Sequence, residues 1–207
     1  MKRIGVRIAK FVLSTGLGLL GTLSLAAGMS LIDVPADATG PALKAAVWTP
    51  CASTPAEIAR GPFMLAAVPD CPVLGDRLGM VIVSHGYGGN YLGHHDTAEV
   101  LADAGFVVVA LNHPDDTSSN KDRARNAAAL ISRPTDVARL IDFMLGAWPD
   151  AARVDPHRIG FFGFSRGGYT GLVIGGANPD FQRLPARCPD PRSPLCAPLQ
   201  GDRRWLP

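Results

Sequence analysis

Short apolar runs alternate with segments of helical periodicity along most of this chain. Three runs are rich in β-branched and aromatic side chains and lie next to Gly or Pro; they cover Leu78–Ser84, 106–111 and 158–164. Runs of this kind predict strands that are buried on both faces of a sheet. Two earlier segments, 43–49 and 63–68, predict further strands.

Segments with the spacing of amphipathic helices separate or follow these strands. They cover residues 94–104, 133–145 and 166–176. In the second segment apolar residues recur every three or four positions, Ser132 is the expected N-cap, and Pro134 falls in the expected first turn. The alternation predicts an α/β fold with a mostly parallel sheet and helices on both faces. Functional residues are then expected at the carboxyl ends of the strands.

The N-terminal segment has the pattern of a targeting sequence. Basic residues stand at its start, and residues 11–32 then carry no charge and include small residues near their end. This order predicts a cleaved signal peptide over 1–28, a linker over 29–42 and a domain over 43–207, in a secreted or periplasmic location. The alternatives are a membrane anchor or membrane contact through residues 11–32, and a buried helix.

Composition and charge narrow the class of protein. The chain has 207 residues, of which 47% are apolar, so it is long enough for one domain with a sizeable core. Its formal net charge is +2, which gives no indication of a nucleic-acid partner. No cofactor is implied.

Four cysteines agree with export from the cytoplasm. They are Cys51, Cys71, Cys188 and Cys196. An even number of cysteines in an exported chain predicts disulfides, and four cysteines allow three pairings. The local pairing of the first two and of the last two is expected, since each couple brackets a proline-containing loop. Four free thiols are the alternative. A metal site is not expected, because the sequence has neither a CxxC spacing nor a histidine cluster.

A G-x-S-x-G motif follows the third apolar run. A serine on a tight strand-to-helix turn adopts strained backbone angles, so its neighbours two positions away must be small, as Gly163 and Gly167 are. The turn predicts an exposed Ser165 hydroxyl, with the backbone N–H of Arg166 directed at an oxyanion formed there. A glycine-rich turn in which Ser165 is a helix cap is the alternative.

A glycine-rich segment, residues 84–90, follows the first of the three runs. A hydrolase built on such a serine turn needs a second oxyanion donor, and the backbone N–H of Tyr87 is the candidate. The segment is not a phosphate-binding loop, because no Gly-Lys-Ser/Thr follows it. We expect His85 to hold this loop through side-chain hydrogen bonds; its alternative role is that of a substitute base.

The motifs together resemble the α/β-hydrolase superfamily, and more narrowly exported dienelactone-hydrolase-like proteins related to platelet-activating-factor acetylhydrolases and polyester hydrolases. The segments that carry the resemblance are SHGYGGN, LNHP, RIGFFGFSRGGYTG, VWTPC, RPTD and DFQRLPARCPDPRSPLCAPL. The resemblance covers roughly residues 43–204. It implies cleavage of a small carboxylic ester or lactone through an acyl intermediate on Ser165. Arg166 departs from the group, which often has a smaller or an aromatic residue there.

The resemblance also implies a triad of Ser, acid and His in that order along the chain. All histidines precede Ser165; they are His85, His94, His95, His113 and His157. The sequence therefore predicts a domain that lacks the strands after the serine turn, together with the acid and histidine loops. Loss of a triad costs about 10⁶-fold in rate, so a weak or inactive enzyme is expected. The alternatives are a non-catalytic exported binding module and one half of an enzyme that a separate C-terminal chain completes.

Overall fold

The computed structural model describes residues 26–122, 127–180 and Arg183 of the chain. Its strands are β1 (Ala26–Val34), β2 (Leu43–Cys51), β3 (Ala56–Arg60), β4 (Phe63–Pro69), β5 (Leu78–Ser84), β6 (Val107–Leu111) and β7 (Val154–Gly163). Its α-helices are α1 (His95–Asp103), α2 (Ala127–Gly146) and α3 (Arg166–Ile174), and a 3₁₀ turn covers Ala151–Arg153. Every strand and helix that the sequence predicts is present, with β1 and β3 in addition.

The seven strands form one mixed sheet in the order β3-β4-β1-β2-β6-β5-β7. The pairs β1–β4, β5–β6 and β5–β7 are parallel, and the pairs β1–β2, β2–β6 and β3–β4 are antiparallel. The predicted α/β class is confirmed. Because β5, β6 and β7 run in the same direction, the loops that follow them meet at one edge of the sheet.

Two apolar clusters hold helices against the two faces of this sheet. Successive residues of β6 point to opposite faces, so Val109 contributes to one cluster and Val108 to the other. Leu140 and Met144 of α2 lie in the first cluster, and Ala98 of α1 lies in the second. All five residues of β6 are buried, as the sequence predicts for a central strand.

The predicted linker is a strand over part of its length. Residues 29–34 belong to β1, which pairs with β2 in register from Ala26–Cys51 to Val34–Leu43. Asp, Pro and Gly in this part of the chain suggested a linker, but exposure alternates along residues 30–34, where Leu31 and Asp33 are the exposed positions. Such one-sided burial is compatible with a polar side chain at every second position.

The prediction that β7 is buried on both faces is wrong. Most of its residues are exposed or half-buried, and Phe162 is 36% exposed. In the described part of the chain β7 is the last strand of the sheet, with β5 as its neighbour.

Helix α2 begins earlier than predicted and includes a proline. It starts at Ala127 instead of residue 133, so Ser132 is not its N-cap and Pro134 lies inside it. The added turns begin with three alanines, which have the highest helix propensity, and Ala128 and Ala129 are buried. The proline suggested a helix start because it cannot donate the backbone hydrogen bond of an interior position.

The described residues contain the disulfide Cys51–Cys71. It confirms the local pairing predicted for the first two cysteines, and joins the end of β2 to the loop after β4. Gly28 of β1 packs against it, because a Cβ there would lie 3.0 Å from the Cβ of Cys71. Cys188 and Cys196 fall outside the described residues, as does most of the predicted signal peptide. No helix within residues 26–122 and 127–180 is long and apolar enough to cross a membrane.

We expect the Cys51→Ala/Cys71→Ala double variant to lower the free energy of unfolding by about 3 kcal/mol, since the bond closes a loop of 20 residues. Urea denaturation followed by circular dichroism measures this. The variant is preferable to reduction, which would also reach the other two cysteines. An unchanged unfolding midpoint would contradict the prediction.

Candidate active site

Ser165 sits on a strained turn between β7 and α3. Its backbone has φ 52° and ψ −110°, a region that residues other than glycine rarely adopt. The residue is exposed, and its neighbour Arg166 is the first residue of α3. The turn is closed by the Gly167 N–H, which donates to the Phe164 carbonyl at 2.8 Å. This is the geometry that the G-x-S-x-G motif predicts.

The two glycines of the motif are required by close backbone contacts. A Cβ on Gly163 would collide with the carbonyl group of Gly167. A Cβ on Gly167 would collide with the carbonyl oxygen of Ser84, the last residue of β5. The start of α3 therefore packs directly on the end of β5, and this contact fixes Ser165 beside the loop that follows β5.

The loop after β5, which carries the second predicted oxyanion donor, runs next to Ser165. A Cβ on Gly86 would lie 3.4 Å from the Cβ of Ser165, so the two segments are in contact. The next N–H along this loop is that of Tyr87. Within the described residues the backbone N–H groups of Tyr87 and Arg166 have no hydrogen-bond partner. Two unpaired donors beside an exposed hydroxyl are what an oxyanion hole needs.

A buried ion pair lies beneath this loop, and the motifs did not predict it. Arg133 of α2 donates from Nε and Nη2 to Oδ2 of Asp116, at 3.1 and 2.9 Å. Both side chains are completely buried. Burial lowers the pKa of Arg133, while the neighbouring Asp116 carboxylate opposes that shift. Asp116 lies in the loop that follows β6.

Asp116 also binds the two segments that flank Ser165. Its Oδ1 accepts from the N–H of Gly88 at 2.9 Å, and its Oδ2 accepts from Nη1 of Arg166 at 3.2 Å. The guanidinium of Arg166 lies 4.7 Å above the centre of the Tyr87 ring, a cation–π distance. The side chain of Arg166 thus joins the turn at Ser165 to residues 85–90, the loop that carries the candidate oxyanion donor and that we call the oxyanion loop, a role that the motif did not predict.

A second network of side chains consists of Ser, His and Asp, the residue types of a catalytic triad, but it is buried and has no access to solvent. Ser84 Oγ lies 2.8 Å from Nε2 of His113, and Nδ1 of His113 lies 2.9 Å from Oδ2 of Asp136. All three residues are buried. Burial lowers the pKa of His113 well below its ordinary value, and the neighbouring Arg133 acts in the same direction. These hydrogen bonds join the ends of β5 and β6 to α2.

His85 holds the oxyanion loop with both ring nitrogens. Its Nδ1 lies 2.6 Å from the carbonyl oxygen of Gly86, and its Nε2 accepts from the N–H of His113 at 3.3 Å. Burial lowers the pKa of His85 to about 4. A ring with both nitrogens engaged and a low pKa is a poor acceptor for the proton of Ser165, so we do not retain His85 as a substitute base.

The hydroxyl of Ser165 has no hydrogen-bond partner within residues 26–122 and 127–180. The remaining histidines have other surroundings. His94 packs against the rings of Phe162 and Phe164, His95 pairs with Glu99, and His157 is exposed. Among the acids that follow Ser165, Asp180 pairs with Arg183, whereas Asp190 and Asp202 fall outside the described residues. Within the residues that the structure describes, no group of His, Cys, Asp and Glu side chains could hold a metal ion.

Comparisons with solved structures identify the fold. The chain is similar to a ferulic acid esterase from Streptomyces cinnamoneus, with a TM-score of 0.59 and 18% identity over 74% of this chain and 55% of the other. It is also similar to an acetyl xylan esterase from Paenibacillus sp. R4, with a TM-score of 0.49 and 21% identity over 80% of this chain and 48% of the other. The second score is too low to support an argument. The chain spans about half the length of both proteins.

No protein-family model and no curated protein sequence matches the chain. At this level of identity the solved structures show the fold alone. The α/β-hydrolase fold that the resemblance implied is confirmed. The roles of Ser165, Tyr87 and Arg166 stay predictions, which the geometry described above allows.

We expect Gly167→Ala to destabilise the protein by about 3 kcal/mol or more, because the new methyl group would meet the backbone of β5, which cannot move aside. Gly146→Ala at the end of α2 is the matched control. Nothing lies within 4 Å of its Cβ position, so it should be neutral or stabilise by up to about 1 kcal/mol. Equal unfolding midpoints in urea for the two variants would contradict the close contact.

Stability should fall as the pH drops from about 7 to about 4. The pKa of His85 is about 4 in the folded chain and 6.5 in the unfolded chain, so in this window the unfolded chain binds a proton that the folded chain does not. The loss for His85 alone is about 3 kcal/mol, and His113 adds to it. The midpoint of urea-induced unfolding, measured at several pH values, tests this prediction. The dependence should be weaker in His85→Gln and unchanged in His157→Gln; identical slopes in both variants would refute the assignment to His85.

Proposed function

We propose that this chain carries the nucleophile and the oxyanion hole of a serine esterase. One observation carries the proposal: an exposed Ser165 on a strained strand-to-helix turn, next to two backbone N–H groups that have no partner in the described residues. A serine that serves as a helix cap or a turn residue needs neither a positive φ nor two backbone N–H groups without partners beside it. The esterase fold supports the same chemistry without specifying it.

In the proposed reaction the Oγ of Ser165 attacks the carbonyl carbon of a carboxylic ester. The N–H groups of Tyr87 and Arg166 donate to the oxygen that becomes negatively charged. The alcohol leaves when the tetrahedral intermediate collapses to acyl-Ser165, and water then hydrolyses the acyl group. Donors that are already in place lose no free energy in reorienting, and one such donor contributes about 10²–10³-fold in rate.

The proton of Ser165 needs an acceptor that the described residues do not supply. A serine hydroxyl is a weak nucleophile without a base, and an oxyanion hole with substrate binding alone gives about 10³–10⁴-fold over the reaction in water. We therefore propose low esterase activity for residues 1–207 on their own. A separate chain that carries an acid and a histidine would complete the site.

The substrate we propose is a small ester or lactone, as the resemblance to dienelactone-hydrolase-like proteins implies. The lining of a groove of about 330 Å³ includes Asn90, Tyr91, Leu31 and Phe63, but Ser165, Tyr87 and Arg166 do not belong to it. Its volume is at the lower end of small-molecule sites, and its lining is partly apolar and partly polar. The ferulic acid esterase among the similar structures suggests aryl esters as probes.

A non-catalytic binding module is the second candidate. The observation that favours it is the same exposed Ser165 hydroxyl, which has no base beside it in the described residues. Export to a secreted or periplasmic location is proposed with either function, and the disulfide Cys51–Cys71 is compatible with it.

We expect the wild-type chain to hydrolyse p-nitrophenyl acetate slowly and Ser165→Ala to remove this activity to the level of the buffer. Added imidazole should raise the Ser165-dependent rate, defined as the difference between the two proteins, because it supplies the missing base. Subtraction of the Ser165→Ala rate removes hydrolysis by imidazole itself. Release of p-nitrophenol at 405 nm is not specific to one serine, so mass spectrometry should also detect the acetyl group on the peptide that contains Ser165.

Equal rates in the two proteins at every imidazole concentration, without acylation of Ser165, would exclude the esterase and leave the binding module. Thr170→Val is a control on the same helix. Its buried hydroxyl donates to the Arg166 carbonyl at 2.9 Å and lies outside the proposed chemistry. Its Ser165-dependent rate should stay within about threefold of the wild type, since it loses one neutral hydrogen bond.

A further inference from the structure

We propose that Arg133 is a positioning residue for the oxyanion hole, and that it acts by holding the carbonyl group of Gly86. The proposal rests on the proposed function, because it assigns a task to a residue behind the Tyr87 N–H. Arg133 lies on α2, is completely buried and does not reach the surface at Ser165. Its effect on the reaction must therefore pass through the loop.

The peptide between Gly86 and Tyr87 links the two groups. A trans peptide is planar, so its C=O and its N–H point in opposite directions. A donor that fixes the Gly86 carbonyl on the inner side of the loop thereby directs the Tyr87 N–H outwards. The described residues contain no cis peptide, so this relation holds here.

Three donors converge on that carbonyl oxygen. Nη2 of Arg133 lies 3.2 Å from it, Nδ1 of His85 lies 2.6 Å from it, and the N–H of Gly89 lies 3.2 Å from it. Rotation of the peptide would break all three hydrogen bonds and leave a buried cation without one of its acceptors. An unpaired buried donor is costly, and a charged one more so.

Arg133 also holds the preceding peptide. Its Nη1 donates to the carbonyl oxygen of His85 at 2.7 Å, next to the bond from Nη2 to Gly86. The planar guanidinium thus fixes two successive carbonyl groups, a geometry that the single ammonium group of lysine cannot reproduce. The two peptides that lead up to Tyr87 are both held by one rigid side chain.

Asp116 holds the other side of Tyr87. It orients Arg133 through two hydrogen bonds and accepts the N–H of Gly88 on its second oxygen. The Arg133–Asp116 pair therefore binds the residue before Tyr87 and the residue after it. Because both members are buried, water does not take over the contact when one of them is replaced.

The test compares Arg133→Met with Arg139→Met, a matched change on the same helix. Arg139 is also buried and binds a carboxylate and two carbonyl groups, those of Asp37, Pro35 and Pro41, away from the oxyanion loop. On p-nitrophenyl acetate with imidazole, Arg133→Met should lower the Ser165-dependent kcat by about 10- to 100-fold with little change in KM, because the donor is displaced and substrate binding is kept. Arg139→Met should keep kcat within about threefold, and Arg133→Lys should fall between the two.

A second readout does not depend on activity. The amide protons of Gly88 and Gly89 are bonded to Asp116 and to the Gly86 carbonyl, and NMR should show that they exchange at least about tenfold faster in Arg133→Met than in Arg139→Met. If the wild type has no Ser165-dependent rate, the esterase proposal fails and this exchange alone decides the positioning role. Unchanged exchange at both glycines in a folded Arg133→Met, or equal losses of kcat in the two variants, would overturn the proposal. If Arg133→Met does not fold, Arg133→Lys takes its place in both measurements.

Discussion

The candidate site depends on a backbone contact between the first turn of α3 and the end of β5. Gly167 lies so close to Ser84 that no side chain fits between them. This contact sets Ser165 beside the oxyanion loop, and it requires the strained backbone of the serine turn. The parallel pairing of β5 with β7 supports the contact, because it brings the ends of both strands to the same edge of the sheet.

Buried charged side chains of α2 bind the polar groups that surround this backbone contact. The end of β5 and the loop after β6 carry polar groups that are buried and need partners, and α2 supplies them from Arg133 and Asp136. These two residues are three positions apart, on one face of the helix. A helix that packs on the sheet with apolar residues therefore also binds the polar layer under the site. The same arrangement accounts for the neutral histidines in that layer.

Much of the fold could be predicted from the sequence, because the spacing of apolar residues and the order of strands and helices are visible in short segments of the chain. The central strands, the serine turn and its glycines could be predicted from residues adjacent in the chain. The disulfide Cys51–Cys71 could be predicted because its two cysteines are near each other in the sequence. The Arg133–Asp116 pair could not be predicted, since its members are 17 positions apart and each alone resembles a surface residue. The exposure of β7 and the true start of α2 depend on neighbours in space, which periodicity does not record.

The sharing of one carboxylate by several donors has a consequence for how such a sequence can diverge. Asp116 serves Arg133, Arg166 and the Gly88 amide at once, so replacement of Asp116 leaves two cations and an amide without their shared acceptor, whereas replacement of one arginine leaves a balanced pair. A substitution of Asp116 is therefore expected to be accompanied by substitutions of both arginines in related chains. Arg166 departs from the residues common in the group that this chain resembles, and Asp116 is the partner that holds its side chain over the loop after β5.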